Sequence, residues 1–133
     1  MFFHTFGDVA HPTILLIHGV WMPWSAWMPQ IEALQDCYYV VVPALDAHDE
    51  NQQSELHSIG EEASAIVEYF LAQQVSEIYA IYGLSMGEAI AYTIAIDGRL
   101  KIEHLMLDGA PLVSSFKLLV WMMKHQYIKC CVN

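Results

Sequence analysis

Four short strand-like runs alternate with longer helix-like segments, and this alternation constrains the fold more than any other feature of the chain. The runs are residues 13–18 (TILLIH), 38–42 (YYVVV), 77–82 (EIYAIY) and 102–107 (IEHLML). The first is entered after Pro12 and closed by Gly19, and the second is stopped by Pro43. Strands joined through helices run parallel, and a parallel sheet is covered on both faces, so its strands read as nearly continuous apolar runs. The prediction is an α/β fold, a mostly parallel sheet with helices on both faces. An apolar content of 56 % and a charged content of 15 % agree with two covered faces, against roughly 45–50 % and 25 % in ordinary domains. Phe2–Phe6 reads as a short edge strand, and 133 residues suit one domain.

Three helices fall between the strands. Residues 29–34 form the first, with Pro29 tolerated in its opening turn. Residues 58–72 form the clearest one. Ser58 and Glu61 make a capping box, and Ile59, Ala63, Ile66, Val67 and Phe70 fall on one face. Glu61 and Glu62 sit in its first turn, where the helix dipole favours anions. Residues 88–96 are apolar nearly all round, which predicts a central, buried helix ended by Gly98. The acidic stretch 46–55 reads as a solvated loop.

Charge and cysteine content exclude several functions. The formal charge is −10, with 15 acids against 5 bases. A nucleic-acid surface needs clustered cations, so no nucleic acid is expected as a partner. Cys37, Cys130 and Cys131 make no disulfide framework. Reduced thiols and an N-terminus without a basic region and apolar core point to the cytoplasm. No run reaches the ~18–20 apolar residues of a membrane span. The seven histidines show no H-x-x-x-H or H-E-x-x-H spacing, so no metal or other cofactor is expected.

The chemistry concentrates in Gly83-Leu84-Ser85-Met86-Gly87. It matches G-x-S-x-G between a strand and a helix, where a sharp turn lifts the serine oxygen to a helix N-terminus and flanking glycines remove the collisions. Ser85 is therefore the candidate nucleophile. Acyl transfer also needs two preset N–H donors for the developing oxyanion, and losing one costs ~3 kcal/mol. Met86 N–H is the first candidate. Val20 N–H, in His18-Gly19-Val20-Trp21 after the first apolar strand, is the second. Trp21, with Met22, Trp24, Trp27 and Met28, could line an apolar substrate wall or simply pack the loop.

On these residues the sequence resembles the α/β-hydrolase superfamily, in its group of soluble serine esterases and lipases. TILLIHGV is similar to the strand and oxyanion loop, YYVVVPALDAHDE to the next strand and its site-facing loop, IYGLSMGEAIAY to the elbow and its helix, and IEHLMLDGAP to the following strand. The resemblance implies a Ser–His–acid triad, hydrolysis of an ester or related acyl bond through an acyl-serine, and a small, apolar, ester-like substrate. It implies a site-mouth role for His48. It also makes Asp108, at the end of the strand after the elbow helix, a candidate acid. Glu88, directly after the elbow, is expected to point away from the oxyanion.

The family sheet continues beyond this point, so the resemblance covers an N-terminal portion. Residues 1–111 are expected to form the hydrolase core, truncated after the strand that follows the elbow helix, and residues 112–133 the start of a cap. The family histidine has no counterpart here; His125 falls in the presumed cap. The 133-residue chain alone is then expected to be nearly inactive. The rival reading is a non-catalytic α/β module that binds a small ligand or forms a homodimer through an exposed sheet edge at residues 102–107.

Overall fold

A computed structural model of the protein describes residues 1–48 and 58–109. Five strands form one sheet in the order β1-β3-β2-β4-β5. In chain order the elements are β1 (Phe2–Phe6), β2 (Thr13–Ile17), a 3-10 turn (Trp24–Trp27) running into α1 (Met28–Leu34), β3 (Tyr39–Ala44), α2 (Ile59–Ala72), β4 (Glu77–Leu84), α3 (Met86–Asp97) and β5 (Lys101–Asp108). β1 is antiparallel to β3, and all other pairs are parallel. The predicted class is therefore observed.

The period of two along each strand divides the core between the two faces. Leu15, Ile17, Val41 and Ile81 point to one side, where Ala63, Ile66, Val67 and Phe70 of α2 and Ile90, Ala91 and Ile94 of α3 cover them. Ile14, Leu16, Val40, Val42 and Ala80 point to the other, under Trp27 and Ile31. Each such aliphatic side chain contributes ~1.5–3 kcal/mol when fully buried. The face predicted for α2 is the one that packs. Ser58 caps this helix, its hydroxyl accepting from Glu61 N–H at 3.1 Å. Gly98 ends α3 in the left-handed conformation, φ 76°.

Three expectations need correction. Pro43 does not stop the second core strand; β3 runs through it to Ala44. Parallel pairing with β2 is confined to Tyr39, Val40 and Val41, and Pro43 is matched only to Phe3 on β1. Proline's missing N–H is tolerated where a strand has outrun one neighbour. Helix α3 is not buried all round: Tyr92 is 44 % and Ile96 65 % exposed. The acidic loop is not simply solvated at its start. Asp46 is half-buried, 2.5 Å from the Met1 ammonium, and its N–H donates to the buried Glu62.

No helix among the described residues is long and apolar enough to cross a membrane. Cys37 is a free, exposed thiol. The expected cap at 112–133, His125, Cys130 and Cys131 lie outside the described residues.

Candidate active site

The sheet order itself marks a place for a site. From β2 the chain leaves toward the Trp27–Ile31 face, and from β4 toward the α3 face. These two strands are neighbours and parallel. Their C-terminal ends therefore diverge, opening a crevice at the switch point where ligands bind in α/β sheets. Ser85 follows β4 and Gly19 follows β2, so both predicted motifs meet at this crevice.

Ser85 is the N-cap of α3, with φ 54° and ψ −114°. A non-glycine residue there is strained by ~1–3 kcal/mol and persists only where its surroundings hold it. Here they do: Ser85 N–H donates to Asp108 O at 2.7 Å, and Glu88 N–H to Ser85 O at 3.0 Å. The glycines are required by space. A Cβ on Gly83 would lie 2.3 Å from Gly87 O, and one on Gly87 would lie 2.3 Å from Ile17 O and 2.8 Å from His18 O. The helix start is thus wedged between the ends of β4 and β2. Helix and strand begin and end closer to the serine than the sequence suggested, since β4 extends to Leu84 and α3 starts at Met86.

The loop after β2 lies against this bend. A Cβ on Gly19 would sit 3.2 Å from Ser85 Cβ and 3.3 Å from Leu84 O. Met22 N–H donates to Gly19 O at 3.3 Å, closing a turn over Val20 and Trp21, with Trp21 at φ 61°. Val20 is thus next in chain to the glycine whose Cβ position faces Ser85. Met86 N–H is the first amide of α3, and such N-terminal amides have no partner within their own helix.

The remaining candidates fall in different places. Trp21 is 69 % exposed, whereas Trp27 is buried edge-on to Tyr82 and Trp24 stacks on His4. Trp24 and Trp27 fasten the 3-10 turn to the sheet. Asp108 acts at the elbow through its main-chain carbonyl. Its carboxylate accepts from the Tyr82 hydroxyl, whose ionisation that hydrogen bond pushes above the ordinary tyrosine range. His48 lies in the turn after β3, its ring 5.4 Å from that of His18. Glu88 is buried at the first turn of α3.

Two residues of this region were not singled out from sequence. His18 is fully buried, its Nδ1 2.9 Å from Gly19 O and its Nε2 accepting from Leu45 N–H at 3.2 Å. Burial lowers its pKa, the Gly19 hydrogen bond opposes that, and His48 lowers it further. Glu62 is 2 % exposed, with its carboxyl pushed up to about 7 mainly by burial. Its spacing to Ile59 and Ile66 on the apolar face of α2 was the available signal.

No protein-family model matches the chain, and no curated protein does. Solved structures do. A protein assigned to the α/β-hydrolase family from Desulfitobacterium hafniense superposes with a TM-score of 0.83 at 28 % identity, over 96 % of this chain and 52 % of its own. A carboxylesterase structure from the ammonia-oxidising thaumarchaeon Nitrososphaera gargenis gives 0.80 at 13 % identity, over 99 % and 49 %. A hydrolase from Pseudomonas aeruginosa PA01 gives 0.75 at 18 %, over 92 % and 46 %. This chain therefore spans about half the length of the proteins it resembles. Over its described residues the chain therefore has the α/β-hydrolase fold.

Proposed function

We propose that the chain provides the nucleophile and oxyanion hole of a serine hydrolase that cleaves an ester or related acyl bond. The observation that carries this is the strained Ser85, held at φ 54° at the start of α3 with Gly19 packed against it. In this reading Ser85 Oγ attacks the acyl carbonyl. The N–H groups of Met86 and Val20 hold the resulting oxyanion, the alcohol leaves, and water cleaves the acyl-serine. The carboxylesterase among the similar structures supports this class of substrate.

A general base must accept the hydroxyl proton. His18 does not fit that role, because both its ring nitrogens are engaged with backbone groups. The base, and with it the acid, is assigned to residues outside those described. Asp108 is assigned a supporting role, since its carboxylate holds the Tyr82 hydroxyl. Trp21 and His48 flank the crevice as substrate-facing side chains. No cofactor takes part.

A serine-directed phosphonate applied to the protein expressed from its own gene should label Ser85, and Ser85→Ala should abolish the label. Equal labelling of the variant, or none of the parent, would overturn the proposal.

A second reading is favoured by β5. Outermost among the described strands, it exposes Leu105 at 38 % and Met106 at 44 %, beside Ile96 of α3 at 65 %. Apolar side chains on an unpaired strand edge favour association, here as a homodimer of a binding module. Light scattering tests it: a monodisperse monomer counts against this edge as an interface.

A further inference from the structure

Two buried ionisable side chains from different elements converge on one turn. His18, at the end of β2, accepts from Leu45 N–H through Nε2 at 3.2 Å. Glu62, on α2, accepts from Asp46 N–H through Oε2 at 3.3 Å. Leu45 and Asp46 are consecutive and lead straight out of β3. The turn they open is closed by His48 N–H donating to Leu45 O at 3.1 Å, with Ala47 at φ 62° and His48 Nδ1 2.8 Å from Asp46 O. Each of the two amides is thus held by an ionisable side chain.

The hydrogen bonds fix the state of His18. A carbonyl oxygen can only accept and an amide N–H can only donate. Nδ1 must therefore carry the proton given to Gly19 O, and Nε2 must be bare for Leu45 N–H. Only the neutral Nδ1–H tautomer satisfies both, and an imidazolium would lose the Leu45 bond. The same imidazole thus ties the turn after β3 to Gly19, which in turn touches Ser85.

We infer that His18 and Glu62 are positioning residues that together fix the turn at residues 45–48 and the Gly19–Val20 backbone in one arrangement beside Ser85. This rests on the acyl-hydrolase reading, to which it adds that the oxyanion loop and the His48 turn are held as a unit from beneath. Titratable and charged groups among the described residues face the pair. His48 faces His18, while Asp46 and the Met1 ammonium face Glu62. Burial keeps His18 neutral at neutral pH, which is the state the clamp needs. Acid releases the clamp by protonating Nε2.

Three measurements on the protein expressed from its own gene test this. Nitrogen-15 NMR of the wild-type imidazole should show the Nδ1–H tautomer, still mostly neutral at pH 6.5, where an ordinary histidine is half charged. His18→Leu should slow phosphonate labelling of Ser85 by about 100-fold, the loss expected of a 1 Å misplacement. His18→Gln, which can still offer an oxygen to Leu45 N–H, should recover most of that rate. Glu62→Leu should speed exchange of the Asp46 amide by about 5-fold or more, and Glu62→Gln should not. An Nε2–H tautomer, titration of His18 near the ordinary value, or unchanged labelling in His18→Leu would overturn the inference. Should wild-type Ser85 take no label while the imidazole and amide results hold, the clamp stands and the hydrolase reading falls.

Discussion

Placing a methyl group on Gly87 is the most direct challenge to the geometry described above. The added Cβ would lie 2.3 Å from Ile17 O, 2.7 Å from Ile17 C and 2.8 Å from His18 O, all of them main-chain atoms of β2 and its exit. A comfortable carbon–oxygen contact is about 3.3 Å or more, so the start of α3 must retreat by roughly 1 Å. It cannot slide freely, because Ile90, Ala91 and Ile94 of the same helix are fully buried against the sheet. Overpacking of this kind costs ~1–3 kcal/mol, which lowers a urea midpoint by about 1 M at a typical slope for a small protein. The same 1 Å separates Met86 N–H from the Val20 loop, and misplacement on that scale lowers a reaction rate by about 100-fold. Gly60→Ala is the internal control. Its Cβ would meet only Ser58 Oγ at 3.9 Å, and the residue lies within α2. That change should stabilise the protein by ~0.5–1 kcal/mol through helix propensity alone. Urea denaturation and the rate of phosphonate labelling read both effects. If Gly87→Ala unfolds at the wild-type midpoint and labels at the wild-type rate, the wedge between α3 and β2 does not exist.

Three further outcomes are expected. Ser85→Gly should abolish labelling while stabilising the fold by ~1 kcal/mol, because glycine relieves the strain at φ 54°; a destabilised variant in a thermal melt would show that the bend is not strained. Glu62 has a folded pKa of about 7 against an ordinary 4.5, so the native state binds more protons between those values and stability falls as pH rises through about 7. Urea titrations at pH 5 and pH 8 should show wild type losing up to ~3 kcal/mol relative to Glu62→Gln, a comparison in which the opposite contribution of His18, whose pKa is lowered, cancels; the same pH dependence in both proteins refutes the assignment. Asp108→Asn should slow labelling by less than about 10-fold, because the elbow uses the Asp108 main-chain carbonyl. A loss near 10⁴-fold, as for a triad acid, would instead make this carboxylate the orienting acid of the reaction.

The elements that were legible in the sequence are those set by local chemistry. Glycines two residues either side of Ser85 announce a bend because only a missing Cβ allows main chain to approach main chain there, and a Cβ on Gly83 or Gly87 would lie 2.3 Å from a backbone oxygen. Ser58 and the apolar face of α2 are equally local. What stayed hidden depends on partners distant in the chain. Pro43 reads as a strand stop until β1 is known to lie on its far side. Helix α3 reads as uniformly buried because its composition cannot show that Tyr92 and Ile96 face away from the sheet. His18 reads as half of an HG dipeptide; its bond to Leu45, 27 residues away, has no sequence signature. Glu62 was taken for a dipole partner of α2, although its place on the apolar face made burial the competing outcome.

The position of the site follows from topology more than from the motif. A parallel sheet built by winding in one direction would send every connection to one face and leave no opening between neighbouring strands. Here β2 pairs with β3 on one side and β4 on the other, and the connections after β2 and β4 leave toward opposite faces. The gap between those two exits is where main-chain N–H groups can point at a ligand without a strand or helix claiming them. A strained serine elsewhere in the fold would be a liability of ~1–3 kcal/mol with no compensating role. At this gap it opens α3 directly beside the position that a Cβ on Gly19 would take. The bond from Ser85 N–H to Asp108 O and the wedge of Gly87 against Ile17 keep it there. Strand order, glycine spacing and the buried His18 tie therefore constrain the same few ångströms of backbone, and relaxing any one of them should be felt at Ser85 before it is felt in the core.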